Sequence, residues 1–282
     1  MLTGFLKIDK EEGQTSQDVD HLIKKRFAST SVGHLGTLDP FATGLLLIGV
    51  NKGTKFLPYL DDSKKSYIAS LVLGKRTASG DEENPILETR PVPPLSDASL
   101  SAALSSFLGK SSQIPPMTSA IKVDGVPLYK KAHQGESVER EARAIEIFSI
   151  NLASYKENTL VFTCTVSRGT YIRVLGEDIA AKLGTIGYLT SLRRLSIGCF
   201  MVSDAKKIGE LNEKDILDPT LFITTMKHVE IDDDWLGKVK NGQPLFLKED
   251  YGEKVLLVLH EEALAVYARL NGNYYVSERG LF

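Results

Sequence analysis

Three side chains in this sequence could do chemistry together: Asp39, Tyr67 and Arg173. Asp39 is a lone carboxylate in GHLGTLDPFATG, residues 33–44, just ahead of the apolar run Leu45 to Ile48. A single carboxylate that acts on a substrate needs a cation beside it to keep it ionised and aimed. A guanidinium such as that of Arg173 can grip it with two parallel hydrogen bonds. Tyr67, opening a strand, offers a ring face on which a planar substrate would stack, and nucleobases are planar. Each residue also has a plainer reading. Asp-Pro between glycines starts a turn, strand tyrosines are commonly half-buried, and helix arginines commonly face solvent. Composition and spacing leave both readings open.

Other chemistry fits the sequence less well. GVNKGTK, residues 49–55, resembles a phosphate loop, but its lysine follows the threonine and its spacing is one residue short. The sequence contains no GxSxG elbow, no HExxH and no GxGxxG turn. The neighbouring carboxylates Asp61-Asp62 and Glu82-Glu83 point apart in any extended stretch. A carboxylate glycosidase needs a second acid about 5–10 Å from the first, and Asp81 is the one candidate. The five histidines lack metal-ligand spacing, so no metal is expected.

The elements that must position these side chains follow from pattern. GFLKID, 4–9, reads as a strand, and TSQDVDHLIKKRF as a helix capped by Thr15 or Ser16. LLLIGV is a buried strand, SYIASLVLG (66–74) another, and Ser96 to Gly109 a helix. IEIFSINLA and TLVFTCTVS form a hairpin, followed by an amphipathic helix over 169–184. Residues 111–143 are long, punctuated by Pro and Gly, and rich in basic and polar residues, which predicts a projecting arm with a short helix, VPLYKKAHQG. Beyond about 204 the chain turns acidic, then gives PLFLK, KVLLVLH, ALAVYARL and YYVS, the pattern of a small β-barrel.

The whole chain, 282 residues with 42% apolar and 25% charged, suits a globular protein of one or two domains. No apolar run reaches membrane-spanning length, no signal peptide is expected, and two cysteines without CxxC point to a reducing cytoplasm. Net charge is −2 but unevenly spread. Residues 1–209 carry 26 Lys/Arg against 22 Asp/Glu, whereas 210–282 carry 8 against 14. The basic part is the candidate for polyanion contact.

GHLGTLDPFATGLL resembles the signature of the TruB family, the bacterial tRNA pseudouridine synthases acting on uridine 55 of the T loop. LKIDKEEGQTSQDV resembles the family's opening DKPxGxTSxxV, and KKSYIASLVLGKRT its KxYxxxxxLGxxT. QIPPMTSAIKVDGVPLYKKAHQG, SRGTYIRVLGEDIAAKLG and YLTSLRRLSIG resemble later motifs, in order, so the likeness runs from 5 to about 200. LGKVKNGQPLFL and ALAVYARLNGNYY resemble the family's small PUA-like RNA-binding domain. The chain departs from the pattern at Glu11 (usually Pro), Ala78 (usually Asp) and Thr118 (usually Tyr).

The resemblance implies an α+β pseudouridine-synthase fold: a central mixed or antiparallel sheet with a thumb insertion at about 111–143, plus a C-terminal PUA-like β-barrel. Its domains would span 1–204 (catalytic), 205–228 (linker) and 229–282 (RNA-binding). It implies that Asp39 is the catalytic nucleophile, that Tyr67 stacks on the flipped uracil, and that Arg173 pairs with Asp39. His34 would help hold the T-loop bases apart and Leu192 would line the uracil pocket. Lys55 and Asp81 fall on polar positions near the site, and Tyr171, Lys122, Lys130, Lys131 and Arg143 are further candidate RNA contacts. The implied partner is tRNA, through its T arm and acceptor stem, with Lys238 and Lys240 as a local basic face. No membrane, obligate protein partner or cofactor is expected, and the chain would be a monomer. The rivals are a non-catalytic RNA-binding module of the same fold and a guide-RNA-dependent relative.

Overall fold

The computed structural model describes residues 2–119, 122, 123, 125–128 and 138–282. The strands before the arm are β1 (Gly4–Lys10), β2 (Val32–Leu35), β3 (Thr43–Val50), β4 (Lys64–Leu73), β5 (Lys75–Thr77), β6 (Ile86–Thr89) and β7 (Gly109–Gln113). Within the arm lie β8 (Lys122–Val123) and β9 (Val126–Pro127), followed by β10 (Arg143–Lys156), β11 (Thr159–Ser167), β12 (Gly187–Ile197) and β13 (Phe200–Met201). Helices α1 (Ser16–Arg26), α2 (Asp97–Ser105) and α3 (Ile172–Lys182) interrupt them.

One large sheet runs in the order β1-β3-β12-β4-β11-β10-β7, with β2 on β3 and β13 on β12. All its pairs are antiparallel except β3 with β12, where Arg193 faces Thr43 and Arg194 faces Gly44. That pair sets the site, because it brings the loop between β2 and β3 against the strand carrying Leu192 and Arg194. Gly44 lies at φ +101°, and a Cβ there would collide with the Arg194 backbone. Glycine is therefore required for the two strands to close. Helices α2 and α3 pack with the central strands around Leu71, Phe162, Leu175 and Leu189. Helix α1 packs on β1 and β3 through Val19 and Ile23.

The hairpin, the first helix and the first strands stand where the sequence pattern puts them. Thr15 caps α1 and forms a reciprocal box with Asp18. The β10–β11 turn uses Glu157 and Asn158, both at positive φ. Two helices are shorter than expected. Helix α2 ends at Ser105, because Gly109 begins β7 and enters the sheet against Ile147. Helix α3 starts only at Ile172, because the backbone of Tyr171 is extended and held there by Gln113. In the arm, the segment expected to open the helix begins as the strand β9; Lys130, Lys131 and most of VPLYKKAHQG lie outside the described residues.

The C-terminal sheet has five strands: β14 (Lys227–Glu230), β15 (Leu245–Phe246), β16 (Lys254–Leu259), β17 (Glu262–Asn271) and β18 (Tyr274–Gly280). Their order is β14-β16-β17-β18-β15, a half-barrel, with helix α4 (Asp233–Lys240) between β14 and β15. The sheet begins at Lys227, two residues ahead of the expected boundary, because β14 pairs in parallel with β16. The stretch before it is bound along β1: Leu217 and Phe5 exchange backbone hydrogen bonds of 2.9 and 3.0 Å. Phe222 stacks on Phe200 and packs tilted against Phe5, in a cluster that also contains Leu256 and Val266 of the C-terminal sheet. The two sheets share this core.

Candidate active site

The turn carrying Asp39 is pinned on both sides by the segment from the end of β1 to the first residue of α1. Ser16 Oγ donates to the Leu38 carbonyl (3.1 Å) and accepts from the Leu38 amide (2.9 Å). The Pro40 carbonyl accepts from the Gly13 amide (2.9 Å) and from Lys10 Nζ (3.1 Å). Lys10 also donates to the carbonyls of Glu11 and Gln14, and burial lowers its pKa to about 8, with Asp39 opposing that shift. The carboxylate thus projects from a turn whose neighbours on both sides are fixed.

Arg173, on the first turn of α3, meets it. Its Nη2 donates to Asp39 Oδ1 at 3.0 Å, and its Nε lies 2.9 Å from Oδ2. The first contact is a hydrogen bond and the second an ion-pair contact without hydrogen-bond alignment, so the expected pair of parallel bonds is half realised. Arg173 is 3% exposed. Its Nη1 donates to the Ser79 carbonyl (2.9 Å) and to Thr118 Oγ1 (2.6 Å), and sits 3.2 Å from the buried Asp81 carboxylate. One guanidinium therefore bridges two carboxylates. Burial pushes the Asp39 carboxyl above the ordinary carboxylate range; Arg173 pulls it back down and Asp81 adds to the rise.

Tyr67 and Leu192 complete the pocket from neighbouring strands. In the β4–β12 ladder Leu192 faces Ala69 and Arg194 faces Tyr67. Asp39, Tyr67, Arg173, Leu192, Tyr171 and Thr118 line a cavity of about 340 Å³, together with Lys65 and Arg194. Burial raises the Tyr67 phenol, with Arg194 opposing, so the ring stays neutral. The cavity offers one aromatic face, one aliphatic wall and one ion-paired carboxylate, dimensions and chemistry suited to a flat heterocycle.

The remaining sequence candidates divide. Asp81 is within the Arg173 network, 1% exposed. Tyr171 lines the cavity, and Arg143 is close enough for its charge to lower the Tyr171 phenol that burial raises. His34 does not line the cavity; its Nδ1 pairs with Asp20 at 2.8 Å and its Nε2 lies 3.2 Å from the hydroxyl of Thr37, which does. Lys55 stands apart from the cavity, because the 3-10 segment that carries it turns it toward the C-terminal sheet, where Nζ donates to the Gly280 carbonyl (3.4 Å). Lys122 lies in β8, and its side chain is outside the described part.

Sequence reasoning missed Arg194. It is 1% exposed and donates to the carbonyls of Leu45 (2.7 Å) and Gly36 (2.8 Å), tying both ends of the Asp39 loop to β12. The alternation of burial along β12 puts Leu192, Arg194 and Ser196 on one buried face.

The family model for TruB family pseudouridylate synthase (N terminal domain) matches residues 24–172, which include Asp39, Tyr67 and part of α3 through Ile172. The chain belongs to the TruB family of pseudouridylate synthases. It is 46% identical over 212 residues to the tRNA pseudouridine synthase B of Geobacter sulfurreducens, covering 75% of this chain and 70% of that one. The enzyme of the same name from Hydrogenovibrio crunogenus is 39% identical over 251 residues (88% and 83% covered). That from Burkholderia lata is 36% identical over 285 residues (96% and 88% covered). Among solved structures, the chain is similar to a chain of a Cbf5-Nop10-Gar1 complex, with TM-score 0.73 at 20% identity, covering all of this chain and 85% of that one. A chain of an archaeal box H/ACA sRNP Nop10-Cbf5 complex gives 0.71 at 19% identity, covering 100% and 86%. These likenesses show the shared pseudouridine-synthase fold.

Proposed function

We propose that the chain converts uridine to pseudouridine in tRNA, at uridine 55 of the T loop, with Asp39 as the carboxylate that acts on the nucleoside. The observation that carries this reading is the Asp39–Arg173 ion pair at 2.9 Å on the wall of a cavity that also presents the Tyr67 ring and the Leu192 side chain. Relatives named tRNA pseudouridine synthase B, up to 46% identical, support the substrate class.

The reaction breaks the N1–C1′ bond, turns the base and rebonds C1′ to C5, and the C5 proton leaves while N1 gains one. The uridine must first leave its loop, which costs about a few kcal/mol. Stacking on Tyr67 returns roughly 1–3 kcal/mol. Asp39 then acts from its ionised form, by attack at C1′ or by taking a ribose proton. Leu192 and its neighbours keep water from the detached base. His34 stands at the Thr37 side of the pocket and holds the vacated T-loop position open. The arm at about 111–143 closes over the T arm. The catalytic unit spans 1–204 and the RNA-binding unit begins with β14 at Lys227 and meets the acceptor stem through Lys238 and Lys240, both exposed on α4. The protein acts as a monomer, in the cytoplasm, without a guide RNA, an obligate protein partner or a cofactor.

Tritium release from [5-³H]uridine-labelled tRNA transcript, without added guide RNA, tests this reading. Release from the ordinary transcript, and none from one with cytidine at position 55, is the expected result. Equal release from both transcripts would move the target elsewhere. Release that appears only with a guide RNA would favour the guide-dependent alternative.

A further inference from the structure

Thr118 stands where the family motif has tyrosine, and among the described residues its hydroxyl has an unspent proton. Oγ1 accepts from Arg173 Nη1 at 2.6 Å, and the Thr118 carbonyl accepts from Nη2 at 3.2 Å. A hydroxyl has one proton to give and two lone pairs to receive with. The guanidinium takes up a lone pair and has none of its own to accept the proton. Among the described residues no acceptor meets that proton, although Thr118 lines the cavity beside Asp39 and Tyr67. Asp39 is committed to Arg173, and the Tyr67 hydroxyl to Arg194. A hydroxyl that accepts from a cation is polarised and becomes a stronger donor.

We propose that Thr118 Oγ1 donates a hydrogen bond to a carbonyl oxygen of the flipped uracil, so that Arg173, Thr118 and the base form one chain of hydrogen bonds. The proposal rests on the uridine-isomerising reading and adds a substrate contact to it. The chemistry of uracil makes one fixed donor useful twice. Turning the ring by half about the axis through N3 and C6 exchanges N1 with C5, which is the exchange the reaction needs. The same turn exchanges O2 with O4. A donor fixed on the cavity wall therefore meets one carbonyl before the turn and the other after it, and holds the detached ring in plane with C1′ in both states.

The test is a cycle of enzyme and substrate changes. Single-turnover pseudouridine formation is followed by nucleoside chromatography on T-arm RNA carrying uridine, 2-thiouridine or 4-thiouridine at the target position. Thr118→Val removes the donor at nearly constant volume, and Thr118→Ser keeps it. On uridine, the valine variant should be slower by about threefold to tenfold, the effect of one neutral hydrogen bond, and the serine variant within about twofold of the parent. Sulfur is a poor acceptor, so the loss caused by valine should shrink on at least one of the thio substrates. Equal losses on all three substrates would mean that the hydroxyl serves only to hold Arg173, and would overturn the proposal. So would a valine variant as fast as the parent. Failure of the parent protein to convert uridine at all would instead count against the uridine-isomerising reading.

Discussion

Arg194 and Tyr67 face each other across the β4–β12 ladder and interact through their side chains, the almost wholly buried guanidinium lining the same cavity as the tyrosine ring. The same guanidinium fastens the carbonyls of Gly36 and Leu45, which lie before and after Asp39 in sequence. The stacking ring and the reactive carboxylate are thus referred to one side chain.

Arg194→Met should therefore destabilise the fold by about 2–4 kcal/mol, because the buried Leu45 carbonyl and the half-buried Gly36 carbonyl lose their donor. Urea unfolding measures this, and an unchanged midpoint would contradict the role given to Arg194. Catalysis should fall by more than the unfolded fraction explains, since Tyr67 loses its partner as well.

Gly44→Ala should cost roughly 3 kcal/mol or more, by forcing apart the single parallel pair of the large sheet. Gly13→Ala is the control. Gly13 also has a positive φ (+79°), but open space surrounds it, so only the backbone strain of about 1–2 kcal/mol remains. Thermal unfolding of the two variants separates crowding from strain; equal losses would remove the crowding argument.

Burial raises the Asp39 carboxyl and Arg173 opposes the rise. The acid limb of kcat/KM against pH should then lie above the ordinary aspartate value of roughly 3.9. Arg173→Met removes the opposing cation and should move that limb further up, with Arg173→Lys between. A carboxyl raised in the folded state binds its proton more tightly there than in the unfolded chain, so ionisation works against folding. Asp39→Asn should accordingly melt at a higher temperature than the parent at neutral pH. The difference should fade as pH falls below the unfolded aspartate value. A variant that melts lower at neutral pH would reverse the sign of this account.

Phe222→Ala should unfold the two sheets together. The ring is 1% exposed, 4.9 Å from Phe200 and 5.0 Å from Phe5, in a cluster shared with Leu256 and Val266. Its loss should cost about 3–5 kcal/mol. One cooperative transition at a lower midpoint is expected in calorimetry. Two separated transitions would mean that the C-terminal sheet is independent of the core.

Asp39, Tyr67, Leu192 and Arg173 were legible in the sequence because each sits in a motif whose local form, turn, strand or helix start, survives in the fold. Arg194 was not, since a strand arginine looks like a surface charge until β3 is known to lie parallel beside it. Lys55 stands away from the cavity for a similar long-range reason: the C-terminal sheet lies next to it and receives its ammonium. The pattern starts the helix at 169, three residues early, because it does not reveal that Gln113, nearly 60 positions away in the chain, holds Tyr171 extended. Long-range partners of this kind leave no local periodicity to read.

The most direct measurement is tritium release by Asp39→Asn beside the parent protein, with tRNA affinity measured on both. The carboxamide keeps the shape of the turn but cannot act as a nucleophile or base. No release by the variant, with affinity within a few-fold of the parent, is the predicted result. Release by Asp39→Asn at the parent's rate would take Asp39 out of the chemistry and leave the ion pair with Arg173 as part of the scaffold.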